Sequence, residues 1–91
     1  EVKTMAHQFH FQAFTSQGIV IDKKITAFYV DNPKGSFGLM AGHAPIVSSL
    51  ETSSVRYEVD GQETKLEVEE GFIEMRDDIL TLLAKSIKVV E

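Results

Sequence analysis

The chain is expected to be all-β, a sandwich or barrel of short strands, and three observations predict it. Val, Ile, Thr, Phe and Tyr supply 30 of the 91 residues, and these are the types that fit a pleated, half-buried surface. Turn clusters recur at short intervals, at Ser16-Gln17-Gly18, Asp31-Asn32-Pro33-Lys34-Gly35, Asp60-Gly61 and Asp77-Asp78. That spacing suits sandwiches and barrels better than βαβ units. No segment keeps a helical apolar period over three turns.

In chain order, the first strand is expected over Gln8–Thr15, ended by Ser16-Gln17-Gly18. Ile19–Asp22 and Lys24–Val30 follow, then the Asp31–Gly35 turn cluster, then Phe37–Met40 and Ile46–Leu50. Val55-Arg56-Tyr57-Glu58-Val59 alternates apolar and charged residues, which puts Val55, Tyr57 and Val59 on one face and Arg56 and Glu58 on the other. Asp60-Gly61 supplies the two positive-φ positions of a type I′ turn, so this strand pairs with Thr64–Glu69. A second hairpin joins Gly71–Arg76 to Ile79–Ala84 through Asp77-Asp78. The run Ile79-Leu80-Thr81-Leu82-Leu83-Ala84 is apolar in both phases, which reads as a strand buried on both faces.

Composition narrows the function classes. Hydrophobic residues are 43% and charged ones 25%, values of a globular domain rather than a disordered tail. The length holds one domain. Net charge is −5, against the basic excess of a generic nucleic-acid binder. With no cysteine, thiol catalysis, disulfides and cysteine-based zinc sites are excluded. Acid is concentrated downstream: residues 51–91 hold eleven acidic and five basic side chains, against three and four upstream. On alternating strands these read as solvated outer faces that discourage edge-to-edge association. The N-terminus lacks the apolar core of a signal peptide. Met5-Ala6 reads as a chain start, which sets residues 1–4 apart as an addition. The uncharged stretch Ser36–Leu50 contains Gly38, Gly42 and Pro45 and falls short of the roughly 20 apolar residues of a spanning helix. Membrane association is therefore expected only through a partner. The expected organisation is a tail over 1–7, one domain over 8–87 and a tail over 88–91.

Candidate chemistry is sparse. His7 and His10 are three apart, which on a strand sends them to opposite faces, and no metal site is expected. Asp77-Asp78 and Glu69-Glu70 are adjacent carboxylates, whereas paired catalytic acids converge across a cleft. They read as turn and strand-edge residues. Gly35-x-x-Gly38-x-x-x-Gly42 lacks the Gly-Lys-Ser/Thr order that opens a phosphate-binding helix, and no cofactor is expected. His43 stands in the compact turn Gly42-His43-Ala44-Pro45 with neither a nucleophile elbow nor an acid beside it, so a structural role and an interface role both remain open. These residues alone describe a β-sandwich interaction domain without a named partner.

The run Gly35-Ser36-Phe37-Gly38-Leu39-Met40-Ala41-Gly42-His43-Ala44-Pro45-Ile46-Val47 closely resembles the signature of the epsilon subunit of bacterial F-type ATP synthases, called delta in mitochondria. The resemblance extends through Leu50, Val55-Arg56-Tyr57, Asp60-Gly61, Gly71-Phe72-Ile73-Glu74-Met75 and Ile79–Ala84, and upstream through Phe9–Ser16 and Lys24–Val30. It spans about residues 8–87. There are departures from the family pattern. Ala41 stands where a proline is usual, Glu70 where the first glycine of a Gly-Gly-Phe is common, and Lys34 where many members are acidic. Glu51-Thr52-Ser53-Ser54 lacks the usual glycine. The two helices that typically follow the sandwich are not expected within these 91 residues.

The resemblance implies a flattened sandwich of about ten mostly antiparallel strands, without the C-terminal helical hairpin. It implies a non-catalytic rotor subunit in the central stalk, linking the gamma subunit to the membrane c-ring and coupling ion translocation to ATP synthesis. It implies a loop of Pro33, Lys34, Gly35, Ser36, Phe37 and Gly38 facing the c-ring, and Thr15, Ser16, Gly42, His43, Ala44, Pro45, Ile46 and Val47 facing gamma. No cofactor, nucleic acid or self-association belongs to this reading. Peripheral attachment at the cytoplasmic face of the bacterial plasma membrane does. The alternative is a stand-alone β-sandwich adaptor with an unrelated partner.

Overall fold

A computed structural model describes residues 7–32 and 35–90, and these form eight strands. They are β1 (Phe9–Thr15), β2 (Gly18–Ile25), β3 (Ala27–Asn32), β4 (Gly35–Leu39), β5 (Ile46–Leu50), β6 (Ser53–Val59), β7 (Gln62–Arg76) and β8 (Ile79–Val90). One unclosed sheet runs β2-β1-β8-β7-β6-β3-β4, with β5 also on β7. Every pairing is antiparallel except β1 with β8. The all-β expectation holds, with eight strands rather than about ten.

The difference in count has a physical origin in β7 and β8. The segments expected as separate strands, Thr64–Glu69 and Gly71–Arg76, are one 15-residue strand. Its first half pairs with β6 from Ser53↔Val68 to Val59↔Gln62, and its second half with β5 from Ile46↔Met75 to Leu50↔Gly71. β8 accompanies both halves in one register, interrupted only opposite Glu70. Glu70 is left-handed at φ 47°, so the strand bends there without losing its partner. β7 and β8 thereby serve two layers: β2-β1-β8-β7-β5 in one, and β8-β7-β6-β3-β4 in the other. Each layer has five strand segments, which makes the sandwich out of a single sheet.

The chain also crosses between layers at Thr26, between β2 and β3. The sequence suggested one strand over Lys24–Val30. Instead the Thr26 amide and its Oγ1 hydroxyl both donate to the Glu58 carbonyl, at 2.8 and 2.9 Å. That double bond to β6 ends the ladder with β1 and starts the ladder with β6.

Strand alternation fills the space between layers. Phe9, Phe11 and Ala13 of β1 and Leu80, Leu82 and Ala84 of β8 face Phe28, Val30, Val55, Tyr57, Leu66 and Val68 of the second layer. Phe11 lies 5.2 Å from Phe28 and 5.4 Å from Tyr57, both tilted, which locks the layers face to face. Asp60-Gly61 forms the expected two-residue turn, both residues at positive φ (51° and 85°). Asp77 and Asp78 repeat that geometry at 53° and 58° without a glycine.

Candidate docking surfaces

The two outer faces of the sandwich differ in chemistry, and strand register explains how. On the first layer, Ser49, Phe72, Leu83, Phe14 and Ile19 lie in one row across β5, β7, β8, β1 and β2. Phe72, Leu83 and Ile19 are 44%, 42% and 56% exposed, and Phe14 is half-buried. Four large apolar side chains thus stand side by side, three of them exposed. A bulge at Ala13/Phe14 adds exposed Val20 at the end of the row. The next row is Val47, Glu74, Thr81, Gln12 and Asp22, and the third runs Arg76, Ile79, His10 and Lys24. Val47 and Ile79 are exposed. His10 Nε2 meets the Asp22 carboxylate, and Arg76 meets Glu74 at 3.4 Å.

The reading of Ile79–Ala84 as buried on both faces is therefore corrected. Leu80, Leu82 and Ala84 are in the core, but Ile79 and Leu83 point outward and are exposed. The apolar outward phase belongs to a surface row, not to a covered central strand.

The second layer presents polar rows. One runs Gly38, Tyr29, Arg56, Lys65 and Val90, and the next Ser36, Asp31, Ser54, Glu67 and Lys88. Arg56 lies over the Tyr29 ring at 4.4 Å and reaches Asp31 at 3.2 Å and Glu63 at 2.8 Å. These bonds, to Glu63 first and Asp31 second, hold the guanidinium above its ordinary range. Such exposed pairs are screened by solvent and add little stability, but they engage Arg56 with partners of its own face.

The residues singled out from sequence fall in three places. Of the hairpin, Pro33 and Lys34 lie outside the described residues. Gly35 and Ser36 are exposed at its base, Phe37 packs against the core, and Gly38 lies beneath the Tyr29 ring, where a Cβ would come within 3.0 Å of Cδ1. Thr15 and Ser16 close the β1–β2 hairpin at one end of the first layer. Gly42 and His43 lie at the other end: the Gly42 amide donates to Asp78 Oδ1 at 2.7 Å, and the His10 amide to the Asp78 carbonyl at 3.0 Å. Five residues of β1 separate the two ends, roughly 16 Å. Val47 points out between them, and Ile46 points inward. Phe14, Ile19, Phe72 and Leu83, which bridge this interval, escaped the sequence reading, although each is apolar in the outward phase of its strand.

No cluster of three or more His, Asp or Glu able to hold a metal occurs among the described residues. No helix among them is long and apolar enough to cross a membrane.

Residues 8–89 match the profile of the family described as ATP synthase, Delta/Epsilon chain, beta-sandwich domain. The chain belongs to that family. Within it, this delta/epsilon domain is similar to the ATP synthase epsilon chain of Bacillus subtilis, 36% identical over 77 residues, covering 85% of this chain and 58% of that one. It is 31% identical to the epsilon chain of Desulfitobacterium hafniense over 80 residues, covering 88% and 61%. The chain thus spans about three-fifths of the length of these relatives. Among solved structures, a chain of the Euglena gracilis mitochondrial ATP synthase, in an assembly described as OSCP/F1/c-ring, superposes with a TM-score of 0.82. That match has 16% identity and covers 98% of this chain and 57% of that one. A chain of the Tetrahymena thermophila central stalk and c-ring superposes at 0.72, with 8% identity, over 93% and 69%. At these identities the two superpositions establish a shared fold.

Proposed function

We propose that this domain is a non-catalytic part of the ATP synthase central stalk, docking the gamma subunit through the outer face of its first layer. The observation that carries the proposal is the apolar row Phe72, Leu83, Phe14 and Ile19, set on a sandwich whose opposite face is occupied by its own ion pairs. Apolar side chains aligned on neighbouring strands form a surface that gains by being covered. Thr15 and Ser16 at one end of that face, and Gly42 to Val47 at the other, then form its rim. The β3–β4 hairpin belongs to the other layer, so a second partner, the c-ring, can be met without competing for the first face. Through these two contacts the domain turns with the rotor and helps keep ion flow coupled to ATP synthesis, at the cytoplasmic face of a bacterial plasma membrane. Two fixed contacts suit a sandwich, which holds its faces and loops in constant relation.

The test is binding of this chain to its cognate gamma subunit, by co-elution and titration, with Phe72→Glu and Leu83→Glu. Both side chains are already over two-fifths exposed, so the folded state tolerates the charge, and thermal melts verify that. A charge buried at the centre of an interface is expected to weaken binding at least about 30-fold. Undiminished binding by both folded variants would place gamma elsewhere and refute the proposed surface.

A further inference from the structure

Two backbone hydrogen bonds and a proline restrain the Gly42–Pro45 loop. Gly42 donates to Asp78 Oδ1 at 2.7 Å, and the His43 amide donates to the Met40 carbonyl at 3.2 Å. Pro45 fixes its own φ and restricts Ala44 before it. The imidazole is held too, because His43 Nδ1 lies 2.6 Å from the Ala44 carbonyl oxygen. A carbonyl oxygen only accepts, so Nδ1 carries the proton and donates. In the neutral ring the other nitrogen, Nε2, is then a bare acceptor. The side chain is exposed, and Nε2 has no hydrogen-bond donor among the described residues.

We infer that His43 is fixed as the Nδ1–H tautomer so as to offer Nε2 as a hydrogen-bond acceptor to an N–H or O–H donor of the docked gamma subunit. This rests on the gamma reading of the first layer and adds a polar selectivity element at its rim. An apolar row accepts many apolar partners. A preset acceptor favours a partner whose donor falls at one point, because a donor buried without an acceptor is penalised. The ring's orientation is fixed before the partner arrives, so little ordering is required on association.

Two measurements test it. The first uses this chain alone: long-range 15N–1H correlation of the imidazole nitrogens, at a pH where the ring is neutral. The expected pattern has Nδ1 protonated and Nε2 unprotonated. An Nε2–H tautomer, or rapid exchange between the two, overturns the inference whatever the partner is. The second is a gamma-binding series with wild type, His43→Gln and His43→Leu, each verified as folded by its thermal melt. Gln carries an amide oxygen that reaches the Nε2 position, whereas Leu fills the space without an acceptor. His43→Leu is expected to weaken binding roughly 5- to 150-fold, with His43→Gln recovering most of the loss. Equal losses in the two variants, or none in His43→Leu, overturn the inference. Absence of binding by the wild type refutes the gamma docking itself and removes the partner contact with it, a failure the tautomer result keeps distinct.

Discussion

Gly71 lies where β7 and β8 pass from one layer to the other, and replacing it by alanine is expected to be the costliest single-methyl change in the domain. A Cβ built there falls 2.3 Å from the Leu83 carbonyl oxygen, 2.8 Å from Ala84 Cβ and 2.9 Å from Ala84 Cα. Carbon–oxygen contacts settle at about 3.3 Å or more, so roughly 1 Å must be opened against a neighbouring backbone. No rotamer can relieve this. β7 is flanked by β5 as well as β8, and β8 by β1 as well as β7. The remaining route is to spread the ladder at Gly71↔Ala84 and Phe72↔Leu83, which weakens bonds worth about 0.5–1.5 kcal/mol each. Overpacking strain adds about 1–3 kcal/mol, for a total near 4 kcal/mol. A domain of this length has about 5–14 kcal/mol in all. At roughly 4–8 °C per kcal/mol, the melting temperature falls by about 16–32 °C. Far-UV circular dichroism melts and urea titration measure it, with Gly61→Ala as the control. Gly61 is at φ +85° with nothing within 4 Å of a Cβ, so its replacement costs only backbone strain of about 1 kcal/mol. If Gly71→Ala melts no lower than Gly61→Ala, the close approach of β7 and β8 is not what the structure describes.

The neighbouring position gives the opposite sign. Glu70 is left-handed at φ 47°, where the family commonly has glycine, so Glu70→Gly relieves about 1–2 kcal/mol of backbone strain. Part of that is offset by the entropy of an unfolded glycine; a net rise of a few degrees in melting temperature is expected, and a fall would show that the Glu70 side chain outweighs its backbone. At the crossing between β2 and β3, Thr26→Val keeps the side-chain volume and the amide bond to the Glu58 carbonyl but removes the hydroxyl bond. A loss of about 1 kcal/mol in urea titration is expected, and an unchanged midpoint would mean that the amide alone holds the corner.

Local chemistry was legible where two residues decide the outcome. Asp60-Gly61 announced a type I′ turn because both central positions need positive φ, and the turn sits where it was read. The strand break at Glu69-Glu70 and the one at Lys23 were misread for a shared reason. Glutamate is not a recognised bend residue, so Glu70 looked like an ordinary end between two strands rather than a left-handed kink within one. Thr26 looked like an ordinary strand residue, since its role depends on a carbonyl 32 positions away in sequence. Both places are crossings between layers, and a crossing is a relation between distant strands.

The docking face follows the same logic more severely. Phe14, Ile19, Phe72 and Leu83 come from three regions of the chain, and only register aligns them. Phe14 meets Leu83 through the one parallel pairing, and Phe72 meets Leu83 across a hairpin turn. Seen along the sequence, Leu83 was one of several leucines in an apolar run, and burial on both faces was the economical reading. That reading requires another layer over Leu83. Among the described residues there is none, because no strand lies above the outer face of the first layer. An apolar outward phase on adjacent strands, uncovered among the described residues, is a surface that gains by being covered. The ion pairs of Arg56 on the opposite face point the same way. There Arg56 is paired with Asp31 and Glu63, whereas the first layer retains exposed apolar side chains and an imidazole nitrogen, His43 Nε2, without a donor among the described residues.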